Sequence, residues 1–554
     1  MLHILLQYAP NWTHEISWLV IVAFVFAFFV SYGMGANDSC NDWGPAVGAG
    51  TVKLWQAYVL SAVLNVLGAV LLGYKVVETL RTGIVEFETF DVYAQYNHST
   101  NHYDTVDHCG NATLVGGWKA PDILPGAPPL ECAKYTSIDF MLTQTASLAG
   151  VASFMILSSC YKIPVSATHA IVGASVATSF YIRGNVGIKW DEIIKIVVSW
   201  FISPVIAGIF AGAFYYVVKY SVLIRKDTFK WALKLCPIFL CFTLVVNLYA
   251  CLYDGSKYLG LDKLNWWEAL LISCAIGIAG WALLAFPLKN WLPGRAKRLY
   301  DKETKQIQIR LESGKAPKDL GLDKLNWWEA LLISCAIGIS GWALLAFPLK
   351  NWLPGRAKRL YDKETKQIQI RLESGKAPKG HKVKDMREPD VADNIKELPW
   401  YKYLWAYVPE DRLTKKVFNT LQIVSSSMLS FTHGANDTGN TISPLLAIWL
   451  CYESGYAFGN AETRDDTQLL LAYGSFAMIF GFVTLGHRTI KLLAHEMTVD
   501  MSPISGFCIE VGTAFTVLVC VKLGIPISST HCTVGAVVFV GMAKSTHEGL
   551  LSEF

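Results

Sequence analysis

The chain has 554 residues, of which 53% are hydrophobic and only 17% charged, with a formal net charge of +4. A soluble domain of this length does not need so much apolar surface, so the composition excludes one and makes the bilayer the solvent. The small basic excess lies mostly in one connector and excludes nucleic acid as a partner.

No Lys or Arg precedes Lys53, so the amino terminus lacks the basic region of a cleavable signal peptide and the first apolar run is expected to stay as a helix. Runs long enough to cross about 30 Å of hydrocarbon lie near 16–34, 53–74, 138–159, 164–182, 193–220, 229–250 and 266–287, then near 417–433, 468–486, 503–523 and 526–543. They are continuous rather than alternating, which points to helices and not barrel strands. The expectation is an all-α integral membrane protein with about 11–12 transmembrane helices. Basic clusters at Arg225-Lys226, at 295–298, at 412–416 and at Arg488 with Lys491 place those segments inside and the amino terminus outside.

Counting spans from that end makes 84–136 an extracellular loop. It carries the glycosylation sequons at Asn97 and Asn111, and Asn11 also falls outside. Asn37-Asp38-Ser39 and Asn436-Asp437-Thr438 match the sequon formally but lie at membrane depth. The loop also contains Cys109 and Cys132, candidates for a disulfide in an oxidising compartment. The other 11 of the 13 cysteines are scattered in or beside apolar runs without metal-ligand spacing.

Two strings occur twice. Gly35-Ala36-Asn37-Asp38 with Asn41 returns as Gly434-Ala435-Asn436-Asp437 with Asn440. Ile163-Pro164-Val165-Ser166-Ala167-Thr168-His169 returns as Ile525-Pro526-Ile527-Ser528-Ser529-Thr530-His531. Both keep their order, so the chain divides into a first transmembrane repeat, 1–290, a cytoplasmic connector, 291–416, and a second repeat, 417–554, as in many secondary transporters. The second half ends soon after its His531 string without a counterpart of 193–220, and is expected to be short by one or two helices.

A different duplication lies across the connector: 259–318 recurs as 320–379 with one change, Ala279 against Ser340. If both copies crossed the bilayer, the basic segment 412–416 would lie outside, against the positive-inside rule. In a functional molecule only one copy is therefore expected to span, leaving the other displaced or interfacial, or else a molecule in which both span is misassembled. An epitope beside 412–416 should be reached by antibody only after permeabilisation, and labelling of intact cells expressing active protein would overturn this topology.

An ionisable group inside a bilayer is costly unless paired, which makes Asp38 and Asp437 functional candidates. Asn37, Asn41, Asn436 and Asn440 add carbonyl oxygens, and such a set suits a hard cation such as sodium. Flanking glycines let the backbone break and expose further carbonyls. The Ile-Pro-x-Ser-x-Thr-His string reads as a helix start, where unpaired amides and the dipole favour an anion. His169 and His531 either donate to that anion or satisfy a backbone carbonyl. A hydrolase reading of Ser166 with His169 lacks an orienting acid.

At these strings the chain resembles the inorganic phosphate transporter family, the type III sodium–phosphate symporters. Matching stretches include 35–52, 68–75, 163–173, Ser199-Trp200-Phe201-Ile202-Ser203-Pro204, 433–449 and 505–535. The resemblance implies two inverted-topology repeats with broken or re-entrant helices, and sodium-coupled phosphate symport by alternating access. It further implies a multi-pass plasma-membrane protein, a homodimer in membrane lipid, with sodium as co-substrate and no cofactor. Carried over by position, Asn37, Asp38, Asn41, Asn436, Asp437 and Asn440 would bind sodium, and Ser166, Thr168, Ser528, Ser529 and Thr530 would hold phosphate. Glu510 matches an intramembrane Glu with a coupling role, whereas Asn65 stands where a second Glu is expected. Asp42-Trp43 replaces a small residue and Phe. These departures keep open an alternative: a non-transporting receptor or phosphate sensor, or a transport-defective isoform.

Overall fold

Apolar runs become helices because hydrocarbon offers no other partner to backbone N–H and C=O groups. The computed structural model describes residues 12–90, 92–97, 102–106, 115–116, 132–253, 255, 260–279, 293–301, 408, 410–454, 465–495 and 502–544. The second copy of the duplicated block, Cys109, Asn11 and Asn111 lie outside the described residues.

The first half opens with α1 (Trp12–Asn37) and α2 (Ser39–Gly48), one helix interrupted at Asp38. α3 (Leu54–Leu72) and α4 (Tyr74–Gly83) are likewise separated at Gly73. Between α4 and the next helix lie four short strands, β1 (Val92–Asn97), β2 (His102–Val106), β3 (Val115–Gly116) and β4 (Cys132–Tyr135), in the order β2-β1-β4-β3. β1 runs antiparallel to β2 and β4, and β3 parallel to β4.

α5 (Ser137–Tyr161) starts at Thr136, whose backbone N–H and hydroxyl both donate to Asp139 Oδ2. Lys162 takes a left-handed conformation with φ of 59° and stops it. The chain turns back through 163–166 into α6 (Ala167–Arg183), forming a helical hairpin. α7 (Trp190–Val218) ends in a π turn, Lys219–Leu223, and α8 (Thr228–Leu252) and α9 (Trp266–Ala279) follow. The second half contains α10 (Arg412–Ser454), α11 (Asp465–Thr484), α12 (Gly486–His495), α13 (Pro503–Lys522) and α14 (Ser529–Lys544).

Seven helical stretches among the described residues are long and apolar enough to cross a membrane. The expected spans 164–182 and 526–543 fold instead as the shorter arms α6 and α14, of 17 and 16 residues, each starting inside the protein. The expected 417–433 span is one part of α10, a 43-residue helix whose centre carries Asn436, Asp437 and Asn440. α7 leaves Phe201, Ile202, Val205, Ile209 and Phe210 exposed, a face suited to acyl chains.

The two halves interlock and match at their hairpin turns and helix crossings, although α10 is continuous where α1 and α2 are separated. In the α5–α6 turn Ile163 N–H donates to Ser158 O at 2.9 Å; in the α13–α14 turn Ile525 N–H donates to Cys520 O at 2.9 Å. Gly524, with φ of +66°, stands where Lys162 stands. α1 of the first half crosses α11 of the second, and α10 of the second crosses α3 of the first. The crossings use matching glycines. A Cβ on Gly35 would lie 1.8 Å from Met478 O and one on Gly481 1.8 Å from Tyr32 O; at the other crossing, a Cβ on Gly434 would lie 2.2 Å from Asn65 O and one on Gly68 1.8 Å from Phe431 O. Only residues without a side chain allow backbones so close.

Candidate functional site

The interlock carries the doubled motifs to one place. The break at Asp38 and the middle of α10 face the tips of both hairpins, and Asn37, Asp38, Asn41, Asn436, Asp437 and Asn440 are all at most 4% exposed. The bonds between motif and tip cross from one half to the other. Asn41 Nδ2 donates to Thr530 Oγ1 at 3.0 Å, and Thr530 Oγ1 donates to Asp38 Oδ1 at 3.0 Å. In the mirror position Asn440 Nδ2 donates to Thr168 Oγ1 at 2.8 Å, and Thr168 donates to Ile527 O at 2.9 Å.

The remaining motif side chains hold the tips from within their own half. Asn37 Nδ2 donates to Ile163 O at 2.8 Å and its Oδ1 accepts from Val165 N–H at 3.1 Å, so this amide clamps the first tip. Asn436 Nδ2 donates to Ile527 O at 3.0 Å and to Asp437 Oδ1 at 2.6 Å. Ser529 donates to Asp437 Oδ2 at 2.9 Å. Ser166 and Ser528 cap α6 and α14, accepting from the N–H groups of His169 and His531 at 3.4 and 3.2 Å; neither bond uses the hydroxyl proton.

Two kinds of chemistry therefore meet. Asn436 Oδ1 and Asn440 Oδ1 are buried carbonyl oxygens without a hydrogen-bond partner, beside the Asp437 carboxylate. That donor set fits a hard monovalent cation. At the same place two helix starts converge, with first-turn amides, serine protons and threonine hydroxyls that suit an oxyanion.

A family model described as the phosphate transporter family matches residues 34–552. The chain belongs to that family. Phosphate transporter family membership makes it a transporter rather than an enzyme. It is similar to sodium-dependent phosphate transporter 1-A of Danio rerio, at 28% identity over 96% of this chain and 90% of that one. Sodium-dependent phosphate transporter 1 of Rattus norvegicus is 27% identical over 95% and 90%, and sodium-dependent phosphate transporter 2 of Xenopus tropicalis 27% over 96% and 93%. A solved structure titled the sodium-dependent phosphate transporter superposes with a TM-score of 0.62 at 20% identity, covering 96% of this chain and 92% of that chain, and shares the fold.

Not every candidate lies at the centre of this phosphate transporter family member. Glu510 on α13 accepts from Gln422 Nε2 at 3.2 Å and Ser425 Oγ at 2.5 Å. Ser425 precedes Asp437 on α10 by more than three turns, roughly 18 Å along the axis. Asn65 occupies another position again, donating to Ser61 Oγ at 2.7 Å and Ser430 Oγ at 3.0 Å. The glycine crossings pair Asn65 with Met478, not with Glu510. The His169 ring lies 3.9 Å from Trp200 and 4.6 Å from His531, and its Nε2 makes no hydrogen bond.

Two members of the centre were missed from the motifs. His433 sits with Nδ1 3.3 Å from Asp42 Oδ2 and with Nε2 against Asp437 Oδ2, and all three residues are about 1% exposed. A signal for His433 was available, since residues four apart on a helix share a face. For Asp42 the signal was an acid in place of a small residue, four positions after Asp38, but its partner comes from the other half of the chain.

Proposed function

We propose that the chain performs sodium-coupled symport of inorganic phosphate across the plasma membrane by alternating access between two inverted repeats. The observation that carries this reading is the pair of crossed bonds, Asn41 with Thr530 and Asn440 with Thr168. Each acid-amide motif is tied to the hairpin tip of the opposite half, so a cation at the motif and an anion at the tip share the same hydroxyls. Sodium at Asp38 and Asp437 offsets carboxylate charge that would repel phosphate, and it competes for the oxygens that now hold Thr530 and Ser529. Released hydroxyls then turn to phosphate. Each ligand improves the site for the other, which is the coupling a symporter requires.

In this reading Ser166, Thr168, Ser528, Ser529 and Thr530 hold phosphate oxygens, and Asn436, Asp437 and Asn440 hold one sodium. Asn37 clamps a tip more than it ligates an ion. Glu510, remote from the centre, acts on coupling through α10. A homodimer in membrane lipid, an extracellular amino terminus and glycans on Asn97, Asn111 and Asn11 complete the proposal.

The test is labelled phosphate uptake in cells lacking endogenous phosphate transport, with sodium replaced by choline. Uptake by the surface-expressed chain should disappear in choline, and equal uptake in both media would overturn sodium coupling. Thr168→Val and Thr530→Val remove the mirror-related hydroxyls while keeping volume, and each should lower the affinity for phosphate about tenfold, the scale of one lost hydrogen bond to a charged group. Unchanged half-saturating phosphate in both variants would refute the role of the tips.

A further inference from the structure

The symport cycle proposed above makes no use of Asp42. Yet this carboxylate is 1% exposed inside the protein, where a lone charge is strongly disfavoured. Its Oδ2 lies 3.3 Å from His433 Nδ1, within ion-pairing distance. His433 Nε2 rests against Asp437 Oδ2, the oxygen that also accepts from Ser529. One imidazole thus joins the carboxylate that follows the first motif to the carboxylate of the second. Because the ring is rigid, holding one nitrogen fixes the direction of the other, as a carboxylate behind a metal-bound histidine does.

We infer that Asp42 is a positioning residue for sodium binding: it orients His433, whose Nε2 sets the Asp437 carboxylate relative to Asn436 and Asn440. The inference rests on the sodium reading of Asp437. Among the described residues the hydrogen bonds of the tip hydroxyls of Thr168, Ser529 and Thr530 do not involve Asp42, so its effect falls on sodium and not on phosphate. A purely packing role for Asp42 would instead lower the amount of folded protein and leave the affinity of what remains alone.

The test measures uptake against sodium at saturating phosphate, and against phosphate at saturating sodium, normalised to surface protein. The chains compared are the parent, Asp42→Ala, Asp42→Asn, His433→Ala and the double variant. Asp42→Ala should raise half-saturating sodium about fivefold while half-saturating phosphate stays within about twofold, the scale of one lost polar contact to a buried group. Asp42→Asn, which keeps an acceptor oxygen for Nδ1, should recover most of that shift. In the His433→Ala background the Asp42→Ala change should add nothing. Parental sodium dependence in Asp42→Ala, or an equal shift with His433 absent, overturns the inference. Should Asp42→Ala not reach the surface, Asp42→Ser in detergent is read by thermal stabilisation against added sodium, and an unchanged half-stabilising concentration has the same meaning. Asp437→Asn separates the two claims: parental sodium dependence there removes the sodium reading itself, whereas its loss beside an unaffected Asp42→Ala removes only this inference.

Discussion

Asp437→Asn should reduce sodium-dependent phosphate uptake to about one hundredth of the parent or less, with normal amounts of protein at the surface, and Asp38→Asn should do the same. Three terms act together. The cation loses a formal negative charge in a water-poor site, where charge–charge attraction is several times stronger than in water. Ser529 loses a charged acceptor for its bond to Asp437, and Thr530 loses the one on Asp38, each worth about 1.5–3 kcal/mol. For Asp437 there is also His433, whose Nε2 would face an amide instead of a carboxylate. A loss near 3 kcal/mol already corresponds to about a hundredfold. Asn is nearly isosteric with Asp, so the helices keep their packing and the loss is chemical. Uptake above about one tenth of the parent in either variant, at equal surface density, would remove that carboxylate from the ion site.

The centre of the site was legible because its residues announce themselves twice. An intramembrane Asp flanked by two Asn is unusual once, and its return with the Ser-x-Thr-His string identified which segments must meet. The pattern left open how they meet. Asn41 reaching Thr530, and Asn440 reaching Thr168, are contacts between halves; neither half contains the information about its partner. For the same reason Asn37, read as an ion ligand, turned out to spend both ends of its amide on Ile163 and Val165. The helix count was only partly legible. Hydropathy recognises apolar length, so it could not tell that α6 and α14 begin in the interior at Ser166 and Ser528, nor that α10 passes unbroken through its polar centre. The small sheet escaped because its strands are two to six residues long and lie in a segment without an apolar run.

Gly68→Ala and Gly481→Ala should each remove active transporter from the surface, and should do so to a similar degree. The sequence places these glycines in unrelated stretches, yet the fold gives them one task. A methyl group on either would sit 1.8 Å from a carbonyl oxygen, of Phe431 in one case and Tyr32 in the other, whereas ordinary contacts lie near 3.5–4.0 Å. Because the clash is with backbone, no rotamer can relieve it, and the helices must part by more than about 1 Å, beyond the usual 1–3 kcal/mol of an overpacked core. Parting at Gly68 shifts α10, which carries Asp437; parting at Gly481 shifts α1, which leads into Asp38. Either motion draws a carboxylate away from its tip hydroxyl, so residual surface protein should also show weakened sodium dependence. Gly150→Ala in α5 and Gly173→Ala in α6 are the controls, since a methyl there meets nothing within 4 Å, and in helices Ala replaces Gly with a gain of up to about 1 kcal/mol. Surface abundance and detergent melting temperature of the four variants decide the matter. Equal behaviour of Gly68→Ala and Gly150→Ala would show that the crossing is not as tight as the backbone geometry requires, and a severe defect at Gly68 with none at Gly481 would mean that the two crossings do not bear the same load.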